Sequence, residues 1–185
     1  NPLWPDQPLK LFGAGSDSGT FDYFTEAIVG KSKSSRGDYT ASEDDNVLVQ
    51  GVTRDKGAIG YFGYSYYAEN AKKLKAVPIV AMEGKPAVLP SMESVLNGTY
   101  QPLARPIFIY VSVKAYAKPE VKELVAYYMA NGAKLAREVK FVPAPDNIYK
   151  INLEHLAKGK KGTVFGGVAE VGVTIDELVK RETKS

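Results

Sequence analysis

The feature that most constrains this chain is a small-residue loop set between a strand and a helix. Leu9-Lys10-Leu11-Phe12 reads as a short strand and runs directly into Gly13-Ala14-Gly15-Ser16-Asp17-Ser18-Gly19-Thr20. Beyond it, Phe21, Phe24 and Ile28 recur at spacings of three and four, which places them on one face of a helix over about 20–28. Gly30 is a suitable stop. Strand, glycine-bearing turn and helix in that order open an α/β unit.

The rest of the first 115 or so residues continues the alternation. A polar loop spans 31–39. Ser42, with Asp45 three residues on, predicts a capping box and a second helix. Val47, Leu48 and Val52 would form its buried face, and Lys56-Gly57 would end it. Residues 58–62 read as a buried strand, 65–70 as a short helix, and 76–82 and 87–89 as strands. Pro90 and Ser91 start a short helix that stops near Asn97-Gly98. The strongest strand signal is 106–113, which holds the run Ile107-Phe108-Ile109-Tyr110-Val111. The pattern then turns helical: 119–129 with an extension toward 139, 146–158, and 174–181, where Thr174 and Glu177 form a further capping box. The expected organisation is an extended connector at 1–8 with Pro2, Pro5 and Pro8, an α/β lobe with a mixed sheet flanked by helices at 9–113, and a mostly helical segment at 114–185.

Composition excludes several classes. The 185 residues are 44% hydrophobic and 24% charged, as in folded globular chains. No apolar run approaches the roughly 18 residues of a membrane helix. The net charge of +3 is too small to suggest a nucleic-acid partner. With no cysteine, disulfides and thiolate chemistry are excluded, and an oxidising compartment is a suitable setting. The single histidine, His155, excludes multi-histidine metal sites, so no metal or other cofactor is expected. The chain opens on Asn1 rather than methionine, which suggests either a removed leader or a piece of something longer.

The loop has its own chemistry. Amides at a helix start lack acceptors and lie at the positive end of the helix dipole, which together suit an oxyanion. Ser18, Gly19 and Thr20 are the candidate ligands, with hydroxyl donors from Ser18 and Thr20. The competing reading is a helix cap in which Ser18 or Thr20 only satisfies its own backbone. Arg36 could supply a planar fork for two oxygens, or be an ordinary solvated loop charge. A serine-hydrolase reading of Asp17-Ser18-Gly19 fails because His155 sits in a late helix and Ser16 stands where a nucleophile elbow needs glycine. Gly30-Lys31-Ser32 ends a helix rather than starting one, and Thr25 replaces the first P-loop glycine. Arg36-Gly37-Asp38 and the sequon Asn97-Gly98-Thr99 are short enough to arise by chance. Tyr61, Tyr64, Tyr66 and Tyr67 suit packing better than ligand stacking, and Asp44 and Asp45 suit helix capping better than a metal.

Four separated segments carry a family likeness in order: 17–24 (Asp-Ser-Gly-Thr-Phe-Asp-Tyr-Phe), Arg36 with 38–46, 57–64 (Gly-Ala-Ile-Gly-Tyr-Phe-Gly-Tyr), and 100–106 before the apolar run. Together they resemble the phosphate-binding proteins of the bacterial phosphate ABC importer, in the PstS/SphX-like branch. The resemblance implies a periplasmic-binding-protein-like fold, with phosphate held between two α/β lobes. It further implies a non-enzymatic solute-binding component that works with importer membrane subunits in the periplasm or another extracytoplasmic space. The family's Ser-Gly-Thr maps onto Ser18, Gly19 and Thr20. Its arginine, usually just upstream, has no counterpart at 13–15, so Arg36 stands in as candidate, with Asp17 orienting it or capping the loop. The first-lobe segments that complete the family's site do not precede Asn1. The expectation is therefore a truncated or partial form that needs a missing N-terminal lobe or a second chain, with 114–185 packing on it. The alternative is a stand-alone sensing or interaction domain with a vestigial anion site.

Overall fold

In the computed structural model, which describes residues 5–184, the chain runs β1 (Lys10–Ala14), α1 (Gly19–Val29), β2 (Thr40–Ser42), α2 (Asp45–Arg54), β3 (Ala58–Gly60), α3 (Tyr64–Asn70), β4 (Ile79–Val80), β5 (Ala87–Val88), α4 (Met92–Leu96), α5 (Val113–Tyr116), α6 (Pro119–Glu138), α7 (Asp146–Ala157) and α8 (Ile175–Lys184). The first half of the predicted connector, 1–4, and Ser185 lie outside the described residues. The chain divides into two compact units, Asn1–Pro78 and Ile79–Ser185.

The first unit is built on a parallel sheet of order β2-β1-β3. Phe12 pairs with Thr40 on one side and with Gly60 on the other. Parallel neighbours need crossovers, which α1 and α2 supply. Leu48, fully buried, is the centre of the core, with Ala14, Phe21 and Val49 around it. The connection order turns about β1, so the loops after all three strands gather at the sheet's carboxyl edge. In open parallel sheets that edge is where ligands sit.

The second unit is mainly helical, with β4 and β5 as a small antiparallel pair. Parallel and antiparallel pairing are both present, in two separate sheets. Its core holds Val125 and Met129 of α6, Leu178 of α8 and Val173 just before it. Gly132 lets α6 approach α7 closely, since a Cβ there would lie 2.6 Å from Tyr149 Cε1. Arg181 makes a two-pronged ion pair to Glu170 at 2.7 and 2.8 Å.

Several local expectations hold. Gly30 ends α1 in the left-handed conformation at φ 77°. Thr174 and Glu177 cap α8 reciprocally: the Thr174 N–H donates to Glu177 Oε2 and the Glu177 N–H donates to Thr174 Oγ1. Others need correction. Ser42 is the last residue of β2, a strand the polar composition of 31–42 concealed, and it does not cap α2. The cap is Asp44, whose Oδ1 accepts from the Asn46 N–H at 2.9 Å. The later start rotates the buried face: Val49 replaces Val47, which is 46% exposed. The strand expected at 76–82 shrinks to Ile79–Val80. The largest correction is 106–113, where 106–112 belongs to no strand and Val113 already opens α5. A strand needs a ladder as well as β-forming residues, and among the described residues no strand pairs with this run.

Candidate anion site

The site forms where β1 ends and α1 begins. Ser18 is the N-cap of α1, extended at φ −85° and ψ 129°, and its Oγ accepts from the Thr20 N–H at 3.1 Å. The capping reading of Ser18 therefore holds. It does not consume the hydroxyl, because an Oγ that accepts keeps its own proton to donate. Gly19, Thr20 and Phe21 are the first three helical residues, whose amides have no intrahelical acceptor. Thr20 turns its amide onto Ser18, which leaves the Gly19 and Phe21 N–H groups and the Thr20 hydroxyl without a partner among the described residues. Gly19 is exposed and Phe21 is buried. Four hydrogen-bond donors, two amides and two hydroxyls, are thus grouped at the positive end of an eleven-residue helix.

The expected site residues divide into two groups. Asp17, Ser18, Gly19 and Thr20 are held together by the turn, in which the Ser18 N–H donates to the Gly15 carbonyl at 3.0 Å. Arg36 is elsewhere in its interactions. Its guanidinium engages both oxygens of Asp38 at 2.5 Å, and it makes no hydrogen bond to Ser18, Gly19 or Thr20. The paired Asp38 raises the Arg36 pKa, and Asp38 itself is lowered by the hydrogen bonds from Arg36. Both side chains are two-thirds exposed, so the pair is a weak, water-screened one.

Glu43 went unrecognised as a loop residue in its own right. It follows β2 directly, so it emerges at the carboxyl edge beside the loop. Its Oε1 accepts from the Asp17 N–H at 3.1 Å. It lies close over Gly15: a Cβ there would fall 2.1 Å from the same oxygen, and the Glu43 side chain would have to move aside. The sequence signal was available in its position one residue past a strand end, but β2 itself was concealed. With Asp22, Asp44 and Asp45 close in sequence to the two helix starts, the edge is rich in carboxylates. Burial pushes Asp45 up, the neighbouring Asp44 adds to this, and a hydrogen bond from the Gly63 backbone opposes it.

The aromatic residues near the edge pack rather than open a ligand platform. Tyr61 stacks on Phe24 with ring centres 3.9 Å apart and planes 4° from parallel, and it covers Gly13. Burial, then the nearby Tyr39 hydroxyl, pushes the Tyr61 phenol up to about 12. Tyr39 donates to the Ala14 carbonyl at 3.1 Å and so pins the end of β1. His155 lies in the second unit with its Nδ1 3.2 Å from Glu182 Oε2. Among the described residues no group of three or more metal-ligating side chains forms, and no helix is long and apolar enough to cross a membrane.

Comparison with known proteins agrees with this geometry. A family model described as a PBP superfamily domain matches residues 2–131. Protein SphX of Synechococcus elongatus is 55% identical over 179 residues, which are 97% of this chain and 52% of that protein. The phosphate-binding protein PstS of Staphylococcus haemolyticus is 36% identical over 164 residues, 87% of this chain and 50% of that protein. The crystal structure of a possible phosphate binding protein from Planctomyces limnophilus superposes with a TM-score of 0.70 at 48% identity, covering 87% of this chain and 57% of that one. The chain therefore spans about half the length of the relatives it matches.

Proposed function

This chain belongs to the PBP superfamily, and from that premise we propose that it binds inorganic phosphate at the start of α1 as one part of a solute-binding component of an ABC importer. The observation that carries the reading is the group of unpartnered donors there: the Gly19 and Phe21 amides with the Thr20 and Ser18 hydroxyls, at the carboxyl edge of a parallel sheet. The name of the PstS relative at 36% identity and that of the possible phosphate binding protein at 48% identity support phosphate as the anion. The role is capture, not turnover, in an extracytoplasmic space, with importer membrane subunits as the partners that receive the anion.

Binding by this chain alone is weak in this reading. Donors approach the anion from one side only, the opposite side stays in water, and Glu43 and Asp22 lie within the same region. A second body, either an N-terminal lobe or another chain, closes over the anion and excludes water, which strengthens every hydrogen bond to it. Arg36 joins the site by exchanging Asp38 for the ligand, a swap of one bidentate anion for another. Asp17 presents its amide to Glu43 and holds the loop in register.

The test is a phosphate titration followed by heteronuclear NMR on the 185-residue chain. The Gly19, Thr20 and Phe21 amides are expected to shift together, and Thr20→Val is expected to weaken the response several-fold. Shifts confined to lysine-bearing surfaces, or none in this segment, would remove the proposal. A second reading, a stand-alone sensing or interaction domain with a vestigial site, draws support from the engagement of Arg36 by Asp38. Asp38→Asn separates the two. Freeing Arg36 should raise phosphate affinity if the site is functional, and leave it unchanged if it is vestigial.

A further inference from the structure

Two residues of the first unit depart from what their types ordinarily do. Lys33 has φ 64°, a left-handed conformation that residues other than glycine seldom adopt. Thr25 is a polar residue only 3% exposed. One hydrogen bond links the two: the Lys33 N–H donates to Thr25 Oγ1 at 2.8 Å. A helical threonine can satisfy its own hydroxyl by donating to a carbonyl one turn back. Thr25 does so, with the Phe21 and Asp22 carbonyls at 2.8 and 3.0 Å. Its oxygen is left to accept, and it accepts from the loop that follows the helix. A strained backbone persists only where its surroundings hold it, and such residues gather at functional sites. The Lys33 ammonium, 3.8 Å from Asp22 on a side chain 62% exposed, adds little to the hold.

We infer that Thr25 and Tyr39 are positioning residues for Arg36. The loop that carries Arg36 is fastened at two points. Lys33 is tied to Thr25 in α1, and the Tyr39 hydroxyl donates to the Ala14 carbonyl at the end of β1, at 3.1 Å. These are the two elements that flank loop 15–18. Arg36 stands midway, three residues from each fastening, and three residues span at most about 11 Å. Thr25 lies six residues beyond Gly19, about 9 Å along the helix, and Ala14 adjoins Gly15. Between the fastenings, residues 35–38 are exposed and the Arg36 guanidinium engages Asp38. The guanidinium can therefore turn from Asp38 to an anion while its backbone stays near the Ser18–Phe21 donors. A short tether limits the volume that Arg36 searches, which raises its effective concentration at the loop. The inference rests on the phosphate reading for the identity of the anion; the fastenings themselves are read with no phosphate present.

The experiment is heteronuclear NMR on the 185-residue chain and its variants, with and without inorganic phosphate. Thr25→Val keeps the shape and removes the acceptor, Thr25→Ser keeps the acceptor, and Tyr39→Phe removes the second donor. Without phosphate, Thr25→Val is expected to speed exchange of the Lys33 amide about tenfold. Thr25→Val and Tyr39→Phe are each expected to lower the heteronuclear NOE across 34–38, with Thr25→Ser close to wild type. With phosphate, the wild-type Arg36 Nε–H resonance should move in step with the Gly19 amide. In Thr25→Val and Tyr39→Phe the Gly19 and Phe21 amides should still respond, with affinity lowered about fivefold, as for one lost hydrogen bond, and Arg36 should no longer follow. A role confined to stability would lower the melting temperature and leave the Arg36 response intact. Three results would overturn the inference: unchanged mobility of 34–38 in Thr25→Val and Tyr39→Phe, an Arg36 response that survives in both, or a Thr25→Ser chain that behaves like Thr25→Val. Wild-type Gly19 and Phe21 amides that ignore phosphate would remove the phosphate reading instead, while the mobility of 34–38 still decides the fastenings.

Discussion

The carboxyl edge of the first unit and the run at 106–113 have opposite relations to their own polar groups. At the edge nearly everything is answered locally: Ser18 caps Thr20, Glu43 takes the Asp17 amide, Tyr39 pins Ala14, and Asp44 caps α2. What remains free is small and directional, two amides and two hydroxyls. Along 106–111 no backbone group is hydrogen-bonded among the described residues, and of the side chains Phe108 meets Phe165 edge to face. A few converging donors suit a small anion, whereas a long unpaired edge suits another strand.

Truncation of apolar residues of similar kind offers the largest way to break this contrast. Leu48→Ala empties a fully buried position and should cost about 2–5 kcal/mol of stability by urea denaturation. Tyr110→Ala, at an 87% exposed position, should stay within about 0.5 kcal/mol. Equal costs would mean that the run is part of the core and the contrast is false. Capping gives a smaller effect. Ser18→Ala removes the acceptor for the Thr20 amide and should cost about 1 kcal/mol, together with a loss of phosphate response at Gly19. A loss of response with no change in stability would assign Ser18 to the ligand alone.

The smallest effects are in pH. Tyr61 has a folded pKa raised above its ordinary value of 10.0 to about 12, so the folded form favours the neutral phenol. The stability it contributes is complete below pH 10 and is lost as pH rises toward 12. In the second unit Glu177 is held below its ordinary 4.5 by hydrogen bonds from the Thr174 backbone and hydroxyl. Its contribution is complete above pH 4.5 and falls away as pH drops through its lowered folded value. Tyrosine difference absorbance should therefore report first-unit loosening on the alkaline side, and helicity of α8 should fall on the acid side. Reversal of those two sides would contradict the packing described.

Much of this was legible in the residues. The loop, its helix and the stop at Gly30 follow from spacing and turn chemistry, which are local. So do the α8 capping box and the long helix from Pro119. The misses share a cause. β2 is three residues of polar and small side chains, Thr40, Ala41 and Ser42, and exists because β1 offers it an edge; nothing local announces it. The run at 106–113 is the converse, a sequence with every local mark of a strand that pairs with no strand among the described residues. Glu43 was hidden with β2, since its importance depends on emerging where that strand ends. Periodicity reports what a segment would do given a partner, and pairing decides whether the partner exists.

The central claim is that this chain holds a real but incomplete phosphate site. Isothermal titration calorimetry compares it directly: inorganic phosphate into the 185-residue chain, and into its co-expressed complex with the complementary portion of SphX. The account predicts binding too weak to resolve at micromolar concentrations for the chain alone, and micromolar or tighter binding for the complex, weakened by Thr20→Val. Micromolar binding by the chain alone, or a complex whose affinity is indifferent to Thr20→Val, would contradict it.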